Sequence, residues 1–180
     1  ISAAVGELES SLSSGGADSA GGVRPGAQPG IQVGVGHTRW ATHGGVTEVN
    51  THPHTDSSGR LVVAHNGIVE NFEELKASLA GHNFSSETDT EVIAHLVADE
   101  VSRIGDLEEA FRLVFRRLEG RNAVVLLSQD SDRMLVAKNG SPVVIGLGKG
   151  EHFIASDVPA FLAHTKKVLF LADENVLDHL

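Results

Sequence analysis

Between Gly36 and Glu91 the chain concentrates side chains suited to gripping a small zwitterion. Arg39 offers a planar guanidinium fork that matches a carboxylate. Asp89 is an acceptor suited to an ammonium group, and together the two could clamp both ends of a free amino acid. Asn66-Gly67 combines a side-chain amide with a backbone N–H that a substrate can approach closely, which is the equipment of an oxyanion hole. Each has a plainer reading: Arg39 as a solvated loop arginine, Asp89 as a helix N-cap, Asn66-Gly67 as a turn, Trp40 as an ordinary core aromatic. His52 and His54 flank Pro53 and invite a metal reading, but no His-Glu pair at helical spacing supports it, and no metal is assigned.

Composition narrows the chemistry. There is no cysteine among the 180 residues, so a disulfide scaffold, a thiolate metal site and a cysteine nucleophile are excluded for these residues. With 14 Lys and Arg against 24 Asp and Glu the net charge is −10, which leaves no basic stripe for nucleic acid. A hydrophobic content of 41% is ordinary for a globular domain. No apolar run approaches the ~20 residues that span a bilayer, so no membrane partner is expected, and a cytoplasmic location is.

The elements that must position these residues follow from hydrophobic spacing. Residues 1–12 read as a short helix through Ala3, Val5, Leu8 and Leu12, and residues 13–30 as a Gly/Ser/Pro-rich mobile segment. Residues 31–37 alternate like a strand. The stretch from Thr38 to Gly59 has no regular period and reads as loop, where function commonly resides. Leu61 to Ala64 is a short buried strand ending in His65-Asn66-Gly67. Helices are predicted over 69–79, from Thr88 onward, and over 107–118. Strands are predicted at 123–128, 134–138, 143–146, 152–155 and 168–171, a short helix at 159–165, and a hairpin turn at Asn139-Gly140. Strands flanking a central helical block give an α+β layered domain with antiparallel sheets, spanning 31–180 as one domain.

Four segments also carry a resemblance. GHTRWATHG, NTHPH, HNGIVENFEEL and SETDTEVIAHL resemble, in order and at compatible spacing, the glutaminase domain of glutamine:fructose-6-phosphate aminotransferases, the glucosamine-6-phosphate synthases. NAVVLLSQDSDRMLVAKNGSPVVIGLG and HFIASDVPAFLAHT resemble the later sheets of the same domain. Phosphoribosyl-pyrophosphate amidotransferases share the plan without the HTRWATHG–HPH wording. The resemblance implies a class II amidotransferase with the four-layer αββα N-terminal-nucleophile amidohydrolase fold. It implies that Arg39 binds the glutamine α-carboxylate and Asp89 its α-ammonium. Thr42 and His43 would line the same pocket, with His52 in support. Asn66 and the Gly67 N–H would form the oxyanion hole, and Trp40 would gate ammonia passage toward a second domain. The implied partners are L-glutamine and, in the full enzyme, a sugar-phosphate isomerase domain that binds fructose-6-phosphate. No cofactor is implied.

The resemblance breaks at the start. The family opens Cys-Gly-Ile-Val-Gly, with the cysteine as nucleophile, whereas this sequence opens Ile1-Ser2-Ala3-Ala4-Val5-Gly6. The expectation is a domain incomplete at its N-terminus, without its nucleophile, inactive alone in glutamine hydrolysis. A catalytically dead domain with an amino-acid-binding or regulatory role, and a trimmed fragment of an enzyme, remain open alternatives. Loss of a central strand further predicts poor order over 1–30, a gap beside the strand near Ile31, and self-association, including as a homo-oligomer.

Overall fold

Helix α2 (Asp89–Ile104) is the longest element, and its sequence states both of its ends. Thr88 is the N-cap, its side chain accepting the Glu91 N–H, and Asp89 and Glu91 place negative charge in the first turn, where exposed N–H groups attract it. Gly105 stops the helix in the left-handed region at φ 75°, returning its N–H to Val101 O at 2.8 Å. Asp106 follows at once as N-cap of α3 (Leu107–Phe115), accepting the Glu109 N–H at 2.9 Å. Helix α1 (Phe72–Ala77) is shorter than the predicted 69–79. Its N-terminal Asn71 ties the helix to the segment after α3, donating to Arg117 O at 3.0 Å and accepting from Glu119 N at 3.1 Å.

In this computed structural model residues 2–6, 32–38, 43–131, 133–172 and 176–177 are described. Their strands form two five-stranded antiparallel sheets. The helix-backed sheet contains β3 (His54–Thr55), β4 (Leu61–Gly67), β5 (Asn122–Ser128), β6 (Met134–Asn139) and β10 (Val176–Leu177), in the order β10-β6-β5-β4-β3. The outer sheet contains β1 (Ser2–Gly6), β2 (Gln32–Gly36), β7 (Val144–Leu147), β8 (His152–Ala155) and β9 (Val168–Phe170), in the order β2-β1-β8-β7-β9.

The period-2 alternation of the strands separates three apolar layers. On β5, Val124 and Leu126 face α2 and α3 and pack with Ile93, Val97, Phe111 and Val114. Ala123 and Val125 face the other way and, with Met134 and Val136, meet Ile145 and Ile154 of the outer sheet. On the far side of that sheet Val144, Phe153 and Ala155 are covered by Phe161, which follows a 3-10 turn over Val158–Ala160. A fully buried Ile93 or Phe111 contributes about 1.5–3 kcal/mol relative to exposure, so these layers carry the fold. The arrangement is the expected α+β one of helices, sheet and sheet.

Three expectations are corrected. Ser2–Gly6 is a strand rather than part of a helix over 1–12: its backbone pairs on both sides, with β2 and with β8. A five-residue segment between two strands gains more backbone hydrogen bonds as a strand than as little more than one helical turn. The place beside the strand near Ile31 is therefore occupied on one side by β1. The second correction is Asn139-Gly140, which is a turn but not a hairpin. Gly140 has φ 74°, yet β6 and β7 lie in different sheets, and the turn carries the chain across the sandwich. The third is the predicted helix over 159–165, which is a 3-10 turn followed by further turns. The mobile segment predicted over 13–30 lies outside the described residues.

Candidate functional site

The C-terminal end of β4 meets the N-terminus of α2, and His43, His52, Asn66, Gly67 and Asp89 lie around this junction. Val69, just past β4, donates its N–H to Asp89 Oδ2 at 2.8 Å. Asp89 is buried, and its carboxylate also faces His43 Nδ1 at 3.7 Å. His43 in turn sets its ring edge-on against Phe72 of α1, at 4.5 Å between centroids. Asp89 is thus the first residue of α2 rather than its cap, the capping being done by Thr88.

Asn66 and Gly67 are the last two residues of β4 and pair with Ala123 and Asn122 of β5. Gly67 has φ 150°, a backbone conformation that L side chains rarely adopt. A Cβ there would lie 2.1 Å from Arg121 O and 3.0 Å from His65 Nε2. Only glycine lets the two strands approach so closely. A cavity of about 300 Å³ opens beside it, lined by Gly67, Ile68, Glu70, Arg121 and Ser141 among others. A larger cavity, about 540 Å³, lies at the opposite end of β4 around Asp56, Arg60, Leu61 and Asp130, and holds none of the expected site residues.

The histidines surround the start of α2. His52 Nε2 lies 3.2 Å from Thr90 Oγ1, and its ring stacks on His37 at 4.3 Å. His54 Nε2 lies 3.0 Å from Thr88 Oγ1. The His52–Pro53 peptide is cis. His52 and His54 meet edge to face at 5.0 Å, His54 with a nitrogen on the N-cap Thr88 and His52 with one on Thr90 in the first turn of α2. Among the described residues no group of three or more His, Asp or Glu is arranged to hold a metal ion. His65 is buried, with Nδ1 at 3.1 Å from Thr90 Oγ1 and Nε2 at 2.9 Å from Asn122 Oδ1. Burial pushes the His65 imidazole below its ordinary pKa, the charge of Asp89 and the Asn122 hydrogen bond oppose this, and nearby His43 adds to the lowering.

The loop that carries His43 is tied to the same helix start. Asn50, buried, donates to Gly45 O at 3.0 Å and to Glu87 Oε2 at 3.1 Å, and accepts the Glu87 N–H at 2.9 Å. Glu91 anchors the approach to α2 by accepting four hydrogen bonds, from the N–H and hydroxyl of Ser85 and of Ser86, all at 2.6–2.7 Å. Burial opposes the charge on Glu91, but these donors outweigh it and hold its carboxyl below the usual range.

The expected residues therefore fall into two groups. Asn66, Gly67, His43, His52 and Asp89 lie around the junction of β4 and α2. Arg39, Trp40 and Thr42 lie outside the described residues. The sequence reading assigned no role to His65, Thr90, Glu91 or Asn122. His65, Thr90 and Glu91 lie inside motifs that were singled out, so the signal was there. Asn122 stands 57 residues after its partner His65, and nothing local marks it.

Residues 37–163 match the family model described as a glutamine amidotransferase domain. The glutamine–fructose-6-phosphate aminotransferase (isomerizing) of Pyrococcus horikoshii is 55% identical over 144 residues, covering 78% of this chain and 24% of that protein. Its namesake from Streptomyces coelicolor is 53% identical over 153 residues, covering 83% of this chain and 25% of that protein. This chain thus spans about a quarter of the length of these curated relatives. Among solved structures, the allosteric regulatory enzyme of purine biosynthesis superposes with a TM-score of 0.65 at 29% identity, over 81% of this chain and 32% of that one. The Bacillus subtilis glutamine phosphoribosylpyrophosphate amidotransferase, complexed with ADP and GMP, gives 0.60 at 28% identity, over 82% of this chain and 34% of that one. The motif order, the paired antiparallel sheets and the family match together establish that this chain belongs to the glutamine amidotransferase domain family.

Proposed function

We propose that the chain is the glutamine-binding, glutaminase-type part of a cytoplasmic glucosamine-6-phosphate synthase, in which ammonia from glutamine passes to a sugar-phosphate isomerase domain that binds fructose-6-phosphate. In this reading Arg39 takes the glutamine α-carboxylate and Asp89 the α-ammonium, with Thr42 and His43 lining the pocket and His52 supporting it. Asn66 Nδ2 and the Gly67 N–H donate to the oxygen of the side-chain amide, where negative charge develops on nucleophilic attack. Trp40 gates the passage of ammonia. The observation that carries the reading is the meeting of the Asn66-Gly67 strand end with the Asp89 helix start, through Val69 N–H to Asp89 Oδ2 at 2.8 Å.

Hydrolysis in this scheme needs a thiolate nucleophile, and these 180 residues contain no cysteine. A protein of these residues is therefore expected to bind glutamine and release no glutamate from it. Equilibrium dialysis against L-glutamine and against 4-carbamoylbutanoate, which lacks the α-amino group, tests the assignment. The analogue should bind at least about tenfold more weakly, because Asp89 then faces no cation. Equal binding of the two, or rapid glutamate formation, contradicts the reading.

A further inference from the structure

The contacts among His52, Thr90 and His65 close into a ring, and the ring admits one arrangement of protons. The His65 backbone N–H donates to His52 Nδ1 at 3.4 Å. A neutral imidazole carries one N–H, so the His52 proton is on Nε2, which donates to Thr90 Oγ1 at 3.2 Å. The Thr90 hydroxyl then directs its own proton to His65 Nδ1 at 3.1 Å. That leaves His65 Nε2 as the protonated nitrogen, donating to Asn122 Oδ1 at 2.9 Å. The orientation of Asn122 is fixed independently, because its Nδ2 donates to Glu119 O at 3.2 Å. A second proton on His65 would aim an N–H at a hydroxyl that already receives one from His52, and would strip that hydroxyl of its acceptor.

The ring bears directly on Gly67. Asn122, held by His65, is the strand partner of Gly67, and His65 Nε2 lies 3.0 Å from where a Gly67 Cβ would stand. Thr90 belongs to the first turn of α2, next to Asp89. One closed set of hydrogen bonds thus joins the strand end that carries Asn66-Gly67 to the helix start that carries Asp89. His65, Thr90 and Asn122 are buried, and buried groups cost free energy when a partner is lost, so the ring resists any sliding of strand against helix.

We propose that the His52–Thr90–His65 ring is a positioning device that holds the Gly67 peptide at a fixed distance from Asp89, and that Thr90 and His65 are positioning residues for glutamine. The proposal rests on the reading of Gly67 and Asp89 as glutamine ligands. Neither Thr90 nor His65 needs to touch the substrate for the device to work.

Two measurements on the 180-residue chain test it. Long-range 1H–15N spectra of histidine-labelled protein at neutral pH should show both His52 and His65 as the Nε2–H tautomer. An Nδ1–H or imidazolium form of His65 overturns the ring, whatever glutamine does. The second measurement follows the Gly67 amide resonance during titration with L-glutamine in the wild type, Thr90→Val and Thr90→Ser. Thr90→Val should displace the Gly67 resonance before ligand is added and weaken glutamine about tenfold or more, as small misplacements of donors do. Thr90→Ser, which keeps the hydroxyl, should restore both. If Thr90→Val does not fold, His52→Gln, which keeps a donor to Thr90 and removes the acceptor for the His65 N–H, should displace the Gly67 resonance and weaken glutamine binding. Unchanged Gly67 resonance and unchanged affinity in Thr90→Val or His52→Gln overturns the positioning role. A wild-type chain with the stated tautomers but no response to glutamine refutes the ligand reading itself, and with it the role of the ring in binding.

Discussion

At the scale of single residues, Gly67 is, among the described residues, the glycine where one added methyl has most to displace. Its φ of 150° and the 2.1 Å approach of a Cβ to Arg121 O leave no room for adjustment, because the obstacle is backbone. Gly67→Ala is expected to lower the unfolding free energy by roughly 2–4 kcal/mol, combining backbone strain with overpacking. Urea denaturation measures it, and a loss below about half a kcal/mol, the level of an ordinary surface change, contradicts the geometry. Glu91→Gln makes a different point. The carboxylate accepts four hydrogen bonds, and an amide presents two donors of its own to some of the same groups. A loss of about 2–3 kcal/mol is expected, from charge-assisted bonds removed and N–H groups facing N–H groups. Asn66-Gly67 was legible in the sequence as a special backbone site. The reason Gly67 must be glycine was not, because Arg121 sits far along the chain and reaches it only through strand pairing. The same holds for Asn122.

At the scale of elements, the helices were legible and the strand pairings less so. Apolar residues at three- and four-residue spacing located α2 and α3, and Thr88 marked the start of α2, whereas Gly105 and Asp106, which end α2 and cap α3, emerged only from the structure. Asp106→Ala removes the α3 cap at an exposed site away from the β4–α2 junction. It should cost about 1 kcal/mol in stability and leave glutamine affinity unchanged, a pair of outcomes that thermal melts and dialysis on one preparation would read. A short apolar run such as Ser2–Gly6 carries no decisive period, and its neighbours β2 and β8 are distant in sequence. Asn139-Gly140 shows a related limit. Its turn chemistry was read correctly, but a turn does not say whether the next strand pairs back or crosses to another sheet.

At the scale of the molecule, four buried titratable groups, His65, His95, Glu91 and Asp56, share one direction. Burial lowers the pKa of His65 below the ordinary 6.5, and burial with the charge of His82 does the same for His95, against the pull of Glu91. For Glu91 and Asp56 burial opposes the charge, but hydrogen bonds from Ser85 and Ser86, and from Ser58, Leu61 and Arg60, hold both below their ordinary 4.5 and 3.8. A group depressed in the folded state takes up its proton more readily once unfolded. Its stabilisation is complete above the ordinary value and is lost as pH falls through the folded one. Urea midpoints measured from about pH 8 to about pH 4 should therefore be flat at first, decline below about 6.5 as unfolded histidines protonate, and steepen near the carboxylate range. A midpoint that rises on acidification would contradict these environments. The central claim is that the junction of β4 and α2 is a glutamine site, with Asp89 as the group that receives the α-ammonium. Calorimetric titration of L-glutamine into the wild type and Asp89→Asn tests it most directly. The wild type should bind, and Asp89→Asn, which keeps the shape and an acceptor for the Val69 N–H but loses the charge, should bind at least about tenfold more weakly while melting within a few degrees of the wild type. Equal affinity in the two proteins would contradict the account.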